Sequence, residues 1–153
     1  MGFIRHLGVY IVFRRLADQS MIEHSALAIV ILVALYFIAL GTSSLITPTF
    51  AKRFLLGFAE SALVHYTELL VRLVVGVAFL IHAPRMLFAN GFLIFGWLLI
   101  VTTAALLLVP WQWHRRFASK SVPQALRYLS IIGLFSLAFG GFIIVAAVRG
   151  AAT

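Results

Sequence analysis

The residues most able to do chemistry are His65, Glu68 and Arg72, which lie three and four positions apart in an apolar stretch. In a helix this spacing places them on one face, so Glu68 and Arg72 can form an ion pair within their own helix. Counting 1.5 Å per residue from Ala62 puts Arg72 about 15 Å inside the stretch. A charge at that depth of a membrane costs at least ~2.5 kcal/mol, so Arg72 is expected to face protein or water.

Hydroxyl residues of the two following apolar stretches are expected in the same half of the molecule. Together with the ion pair they predict a polar pocket that opens to one side of a membrane and is closed by an apolar floor on the other. The residues of this pocket are His65, Glu68, Arg72, Thr102, Thr103, Ser130 and Ser136.

Two interpretations of this pocket remain open. In the functional one, Arg72 binds an anionic headgroup or ligand, Glu68 is its counter-charge and His65 titrates. In the structural one, Glu68 neutralises Arg72 and the pair only fixes the register of the helix.

Several kinds of site are not expected. The sequence has no cysteine, which excludes disulfides, thiolate catalysis and cysteine-ligated metals. A ferritin-like di-iron site needs about four carboxylates in one layer, and the acids are divided between the two ends of the predicted helices. No motif for nucleotide binding or nucleophilic catalysis is present. We therefore expect no metal and no cofactor. The sequence favours a non-catalytic protein and leaves open an enzyme that uses the Arg72 site on a lipid substrate.

The composition indicates a membrane protein. Hydrophobic residues make up 63% of the 153 residues and charged residues 10%, against roughly 45–50% and 25% in soluble domains. A soluble fold of this size could not bury so much apolar surface. The net charge is +8, and basic residues beside apolar spans attract anionic lipid headgroups. The expected partner is therefore the bilayer. A nucleic acid is not expected, because a protein that binds one needs a large groove outside the membrane.

The elements that must position the pocket are four apolar spans. The predicted fold is an all-α integral membrane protein, a four-transmembrane-helix bundle with a short interfacial N-terminal helix, forming one domain over 1–153. The S-x-x-E pattern at Ser20 and Glu23 predicts the start of the first span, and Pro48 predicts its end. The interfacial helix is expected at about 3–16 and the spans at about 21–46, 62–83, 92–109 and 126–148.

The third span is followed by residues suited to the headgroup layer. Amphipathic tryptophan rings and snorkelling arginines anchor helices there. Four spans put both termini on one side, hereafter the terminal side. Five basic residues on that side against six on the opposite side favour neither orientation. The expected location is a bacterial cytoplasmic membrane. The predicted anchors are Trp111, Trp113, Arg115 and Arg116.

Small residues recur every three or four positions in the fourth span. Such a stripe permits close backbone approach, which favours helix association inside a membrane. The partner is either another helix of the same bundle or a neighbouring subunit. The stripe consists of Ser130, Gly133, Ser136 and Gly140.

One local run resembles a known family. Arg72, Gly76 and Phe79 form an R-x-x-x-G-x-x-F pattern similar to the run that opens DoxX-type four-helix membrane proteins. In that family the run belongs to the first helix, whereas here a full span precedes it and two follow. The resemblance carries no expectation about function.

The function predicted from the sequence is that of a small non-catalytic membrane protein. The leading hypothesis is an accessory or structural subunit of a larger membrane assembly, or a homo-oligomer. The alternative is a binding or transport module for a small molecule, lipid or ion, using the pocket around Arg72.

Overall fold

The computed structural model describes residues 2–50, 53, 61–109 and 126–150, with side chains from Asp18 onward. Within these ranges the regular structure is helical. A short 3-10 helix, Ala83–Arg85, directly follows the second α-helix. The four long helices are α1 Gly2–Ile46, α2 Ala62–His82, α3 Ala89–Leu108 and α4 Leu129–Gly150.

Four segments are long and apolar enough to cross a membrane. The shortest has 20 residues, which corresponds to about 30 Å and matches the hydrocarbon thickness of a bilayer. For the described part of the chain, this confirms the prediction of an all-helical protein with four candidate spans. The segments are Asp18–Ile46, Ala62–Arg85, Ala89–Leu108 and Leu129–Gly150.

The first helix runs from Gly2 to Ile46 without a break. The short helix expected at about 3–16 is therefore not a separate element, and the predicted helix start at Ser20 is wrong. Ser20 lies inside α1, where its carbonyl oxygen accepts a hydrogen bond from Nδ1 of His24 at 2.5 Å. The segment between the two predicted elements contains no glycine or proline, so nothing in it interrupts the helix.

The second helix has a side-chain cap at its start. Ser61 is extended, with φ −142° and ψ 157°, and its hydroxyl accepts a hydrogen bond from the Val64 amide at 3.3 Å. This bond satisfies one of the free amides of the first turn.

A short turn connects α2 to α3. Met86 is extended, and Phe88 adopts a left-handed conformation with φ 61°, which is uncommon for a bulky residue. The amide of Leu87 donates to the carbonyl of Ala146 at 3.0 Å. This hydrogen bond fastens the turn to the C-terminal part of α4.

The helices pack as two antiparallel pairs, α1 with α4 and α2 with α3, and α1 also contacts α2. Glycines mark the closest approaches. A Cβ on Gly41 would lie 2.6 Å from the carbonyl oxygen of Gly133, and a Cβ on Gly76 would lie 3.1 Å from that of Gly96. The absence of side chains at these positions therefore sets the spacing of both pairs.

The apolar core lies toward the terminal side of the bundle. Aromatic contacts connect α2, α3 and α4 there, including Phe79 stacked on Phe92 at 5.8 Å and Phe95 edge-on to Phe139 at 5.4 Å. The buried core residues are Val30, Ala34, Phe79, Ala83, Met86, Phe92, Ile143, Ala146 and Ala147.

Candidate functional site

The intrahelical ion pair expected in the second span is present. Nε of Arg72 donates to Oε1 of Glu68 at 3.0 Å, and Nη2 lies 2.8 Å from the same oxygen. The Arg72 side chain is nevertheless 40% exposed and that of Glu68 24%. The described residues therefore leave this charged pair partly uncovered.

Aromatic side chains of α1 and α2 lie in the same region as the Glu68–Arg72 pair. His65 is buried and its ring contacts the ring of Tyr66 edge-on, with centroids 5.4 Å apart. Tyr36, on α1, lies within electrostatic range of both Glu68 and Arg72. Tyr36 is not among the site residues expected from the sequence; the available signal was its position as the only tyrosine of the first predicted span.

The structure does not bring all seven predicted pocket residues together. Thr103 is fully buried on α3, and its hydroxyl has no hydrogen-bond partner among the described residues. Thr102 is exposed and donates to the carbonyl of Leu98 at 2.6 Å. Ser136 is buried on α4, whereas Ser130 is exposed. Thr102 and Ser130 therefore point away from the interior. A step of one residue along a helix rotates the side chain by about 100°, so the neighbours Thr102 and Thr103 face different ways.

The small-residue stripe of α4 meets α1. A Cβ on Gly133 would lie 2.8 Å from Cβ of Ser44, and a Cβ on Gly140 would lie 2.7 Å from the carbonyl oxygen of Ala34. Buried Ser136 lies between these glycines on the same helical face. These three positions of the stripe therefore pack against α1 within the same chain. Exposed Ser130 lies at the end of the stripe. The predicted anchors Trp111, Trp113, Arg115 and Arg116 lie outside the described residues.

A second polar cluster lies at the terminal side. Nη2 of Arg85, just after α2, is 2.6 Å from Oε1 of Glu23 on α1. His82 is buried within electrostatic range of both charges, and neither of its ring nitrogens has a hydrogen-bond partner among the described residues. Glu23 and Arg85 are not among the site residues expected from the sequence. Opposite charges at adjoining ends of successive antiparallel spans were the available signal.

An open groove of about 500 Å³ runs between α1 and α2. Ser25 is the one polar residue among those lining it, and none of the seven predicted pocket residues contributes to it. The lining residues are Met21, Ile22, Ser25, Ala26, Ile29, Leu73, Val74, Val77, Ala78 and Ile81. No group of three or more metal-binding side chains occurs among residues 18–50, 53, 61–109 and 126–150.

The fold and these clusters define a class: an all-helical chain with four candidate membrane spans and two ion pairs in its described part. No protein-family model matches the chain, and comparisons with curated proteins and with solved structures found no match. The resemblance to DoxX-type proteins therefore rests on the short run from Arg72 to Phe79 alone.

Proposed function

We propose that this chain is an integral membrane protein that serves as a non-catalytic accessory or structural subunit of a larger membrane assembly, or as a homo-oligomer. Its outer surface supports insertion. Large apolar side chains on one stretch of α3, including Ile94, Trp97 and Val101, are each more than half exposed. Water would not tolerate a contiguous surface of this kind, whereas a bilayer or a partner helix covers it.

The observation that carries the assembly role is the exposure of Arg72. This residue lies ten positions into α2, about 15 Å from its start, and 40% of its side chain is exposed. A charge facing hydrocarbon at that depth is unfavourable by at least ~2.5 kcal/mol even on insertion scales. Coverage of the Glu68–Arg72 pair by a neighbouring membrane subunit removes this cost.

The test is extraction from native membranes in a mild detergent, followed by mass identification of every protein that co-migrates with the chain. A stoichiometric partner, or a defined oligomer, is expected. The double variant Glu68→Gln/Arg72→Gln removes both charges and leaves no uncompensated ion, so it should weaken the association. Arg127→Gln is the matched control, because Arg127 is an exposed arginine located before α4.

A wild-type chain that migrates alone as a monomer would contradict this proposal. Retained association in the double variant would show that the ion pair is not at the interface.

The second candidate is a binding or transport module for a small molecule, lipid or ion. It is favoured by the phenol of Tyr36, which lies within electrostatic range of both Glu68 and Arg72. A chain that migrates alone and retains an anionic lipid such as phosphatidylglycerol, with retention lost in Arg72→Ala, would favour this candidate.

The proposed location is the cytoplasmic membrane of a bacterium. Chains that cross a membrane as helices occur in inner membranes, whereas outer-membrane spans form closed β-barrels.

A further inference from the structure

We propose that the groove between α1 and α2 binds one phospholipid with a zwitterionic, primary-amine headgroup of the phosphatidylethanolamine type. The Glu23–Arg85 pair would recognise the headgroup, and the groove would hold an acyl chain. This inference rests on the proposed membrane location and goes beyond the proposed assembly role.

Glu23 and Arg85 do not line the groove, but both lie within a few residues of positions that do. Ile81, which lines the groove, precedes Arg85 by four residues, and Ala26, which also lines it, follows Glu23 by three. Glu23 and Ala26 therefore share one face of α1, whereas Arg85 belongs to the 3-10 helix that follows α2. Arg85 is the last residue of the second candidate span, and Glu23 forms an ion pair with it. Both charges therefore lie near the predicted membrane surface, at headgroup depth.

The pair matches a zwitterion in sign and in hydrogen-bonding capacity. Arg85 is 55% exposed and Glu23 34%. A guanidinium carries five N–H donors, so Arg85 can bond a phosphate in the bidentate geometry that arginine favours while it still contacts Glu23. A primary ammonium offers three donors to the Glu23 carboxylate. The negative charge of Glu23 disfavours anionic lipids, and a choline group has no N–H to donate.

The length and the lining of the groove suit an acyl chain. It extends along α2 from Leu73 to Ile81, about 12 Å at 1.5 Å per residue. The lining is apolar except for Ser25, as hydrocarbon requires.

The groove is open on the outer surface of the bundle. Met21 and Ile22 on α1 are 65% and 53% exposed, and Val74 and Val77 on α2 are each 47% exposed. Buried Ala26 and Ala78 line it as well. A lipid could therefore enter sideways from the bilayer without any rearrangement of the helices.

The experiment is native mass spectrometry of the detergent-solubilised full chain, titrated with phosphatidylethanolamine, phosphatidylglycerol and phosphatidylcholine that carry identical acyl chains. Binding of the ethanolamine lipid is expected to be about tenfold tighter than that of the other two, the difference that one charge-assisted hydrogen bond typically makes. Glu23→Gln should abolish this preference, and Arg85→Gln should weaken binding of all three lipids. Equal affinity for the three lipids in the wild type, or an unchanged preference in Glu23→Gln, would overturn the proposal.

A groove-filling variant tests the acyl-chain site even if the charge variants fail to fold. Val77→Phe enlarges a half-exposed lining residue, and Leu70→Phe is the matched control on α2, because Leu70 is 62% exposed and does not line the groove. Lipid binding should be lost in Val77→Phe and retained in Leu70→Phe. A change of oligomeric mass in Val77→Phe without loss of lipid would refute the inference in favour of a partner helix.

Flotation of the wild-type chain with liposomes separates the two proposals. Failure to float would refute the proposed membrane location, whereas flotation without headgroup preference would refute the lipid site alone.

Discussion

Neighbouring glycines of α4 should respond in opposite directions to the same substitution. A Cβ on Gly140 would lie 2.7 Å from the carbonyl oxygen of Ala34 and 2.8 Å from Cγ1 of Ile38, with the Ile38 amide nitrogen at 3.1 Å. Two of these atoms belong to the backbone of α1 and cannot rotate away. A Cβ on Gly141 would meet nothing within 4 Å. Alanine at Gly140 therefore forces α1 and α4 apart, whereas alanine at Gly141 does not.

The size of the effect follows from two contributions. Replacing a helical glycine by alanine stabilises the helix by about 1 kcal/mol, and this gain is common to both positions. Overpacking a close contact costs about 1–3 kcal/mol, and this loss applies only at Gly140. Gly141→Ala should therefore be more stable than Gly140→Ala by about 1–3 kcal/mol, with Gly141→Ala at or above the wild type.

The assay is thermal unfolding of the two variants and the wild type in one detergent, followed by circular dichroism at a single scan rate. At about 2–4 °C per kcal/mol for a chain of this size, the melting temperatures of the variants should differ by roughly 2–12 °C. Equal melting temperatures for Gly140→Ala and Gly141→Ala would refute the close α1–α4 contact on which this reasoning depends.

Two further substitutions test the interior and the α2–α3 turn. Thr103→Val should raise the free energy of unfolding by about 1 kcal/mol. The buried Thr103 hydroxyl has no hydrogen-bond partner among the described residues, and valine has the same shape without that polar group. A lower melting temperature in this variant would indicate that the hydroxyl is bonded. Phe88→Gly should be more stable than Phe88→Ala by about 1 kcal/mol, because both variants lose the ring but only glycine adopts φ 61° without strain. Comparison of the two unfolding curves checks this prediction. The reverse order of stability would contradict a left-handed conformation at Phe88.

Local properties of the sequence were sufficient to predict the spans and one ion pair. Span length and hydropathy do not depend on how helices pack, so the apolar stretches indicated four candidate spans before any contact was known. The pairing of Glu68 with Arg72 was predictable because residues four apart always meet on a helix. The capping pattern at Ser20 did not mark a helix start. A capping sequence is compatible with a start but does not require one, and no glycine or proline lies directly before Ser20 to interrupt the helix.

Contacts between distant parts of the chain required the tertiary structure. The Glu23–Arg85 pair, the groove beside it and the approach of Tyr36 to Arg72 depend on the rotation and offset of α1 against α2. Hydropathy cannot specify rotation when every face of a span is apolar, so it could not separate exposed Thr102 and Ser130 from buried Thr103 and Ser136. The close glycine contacts determine that rotation, because only those faces allow two backbones to approach so closely. The sequence by itself therefore determined the four apolar helices found in the described part of the chain, and the packing of those helices decided which polar residues meet.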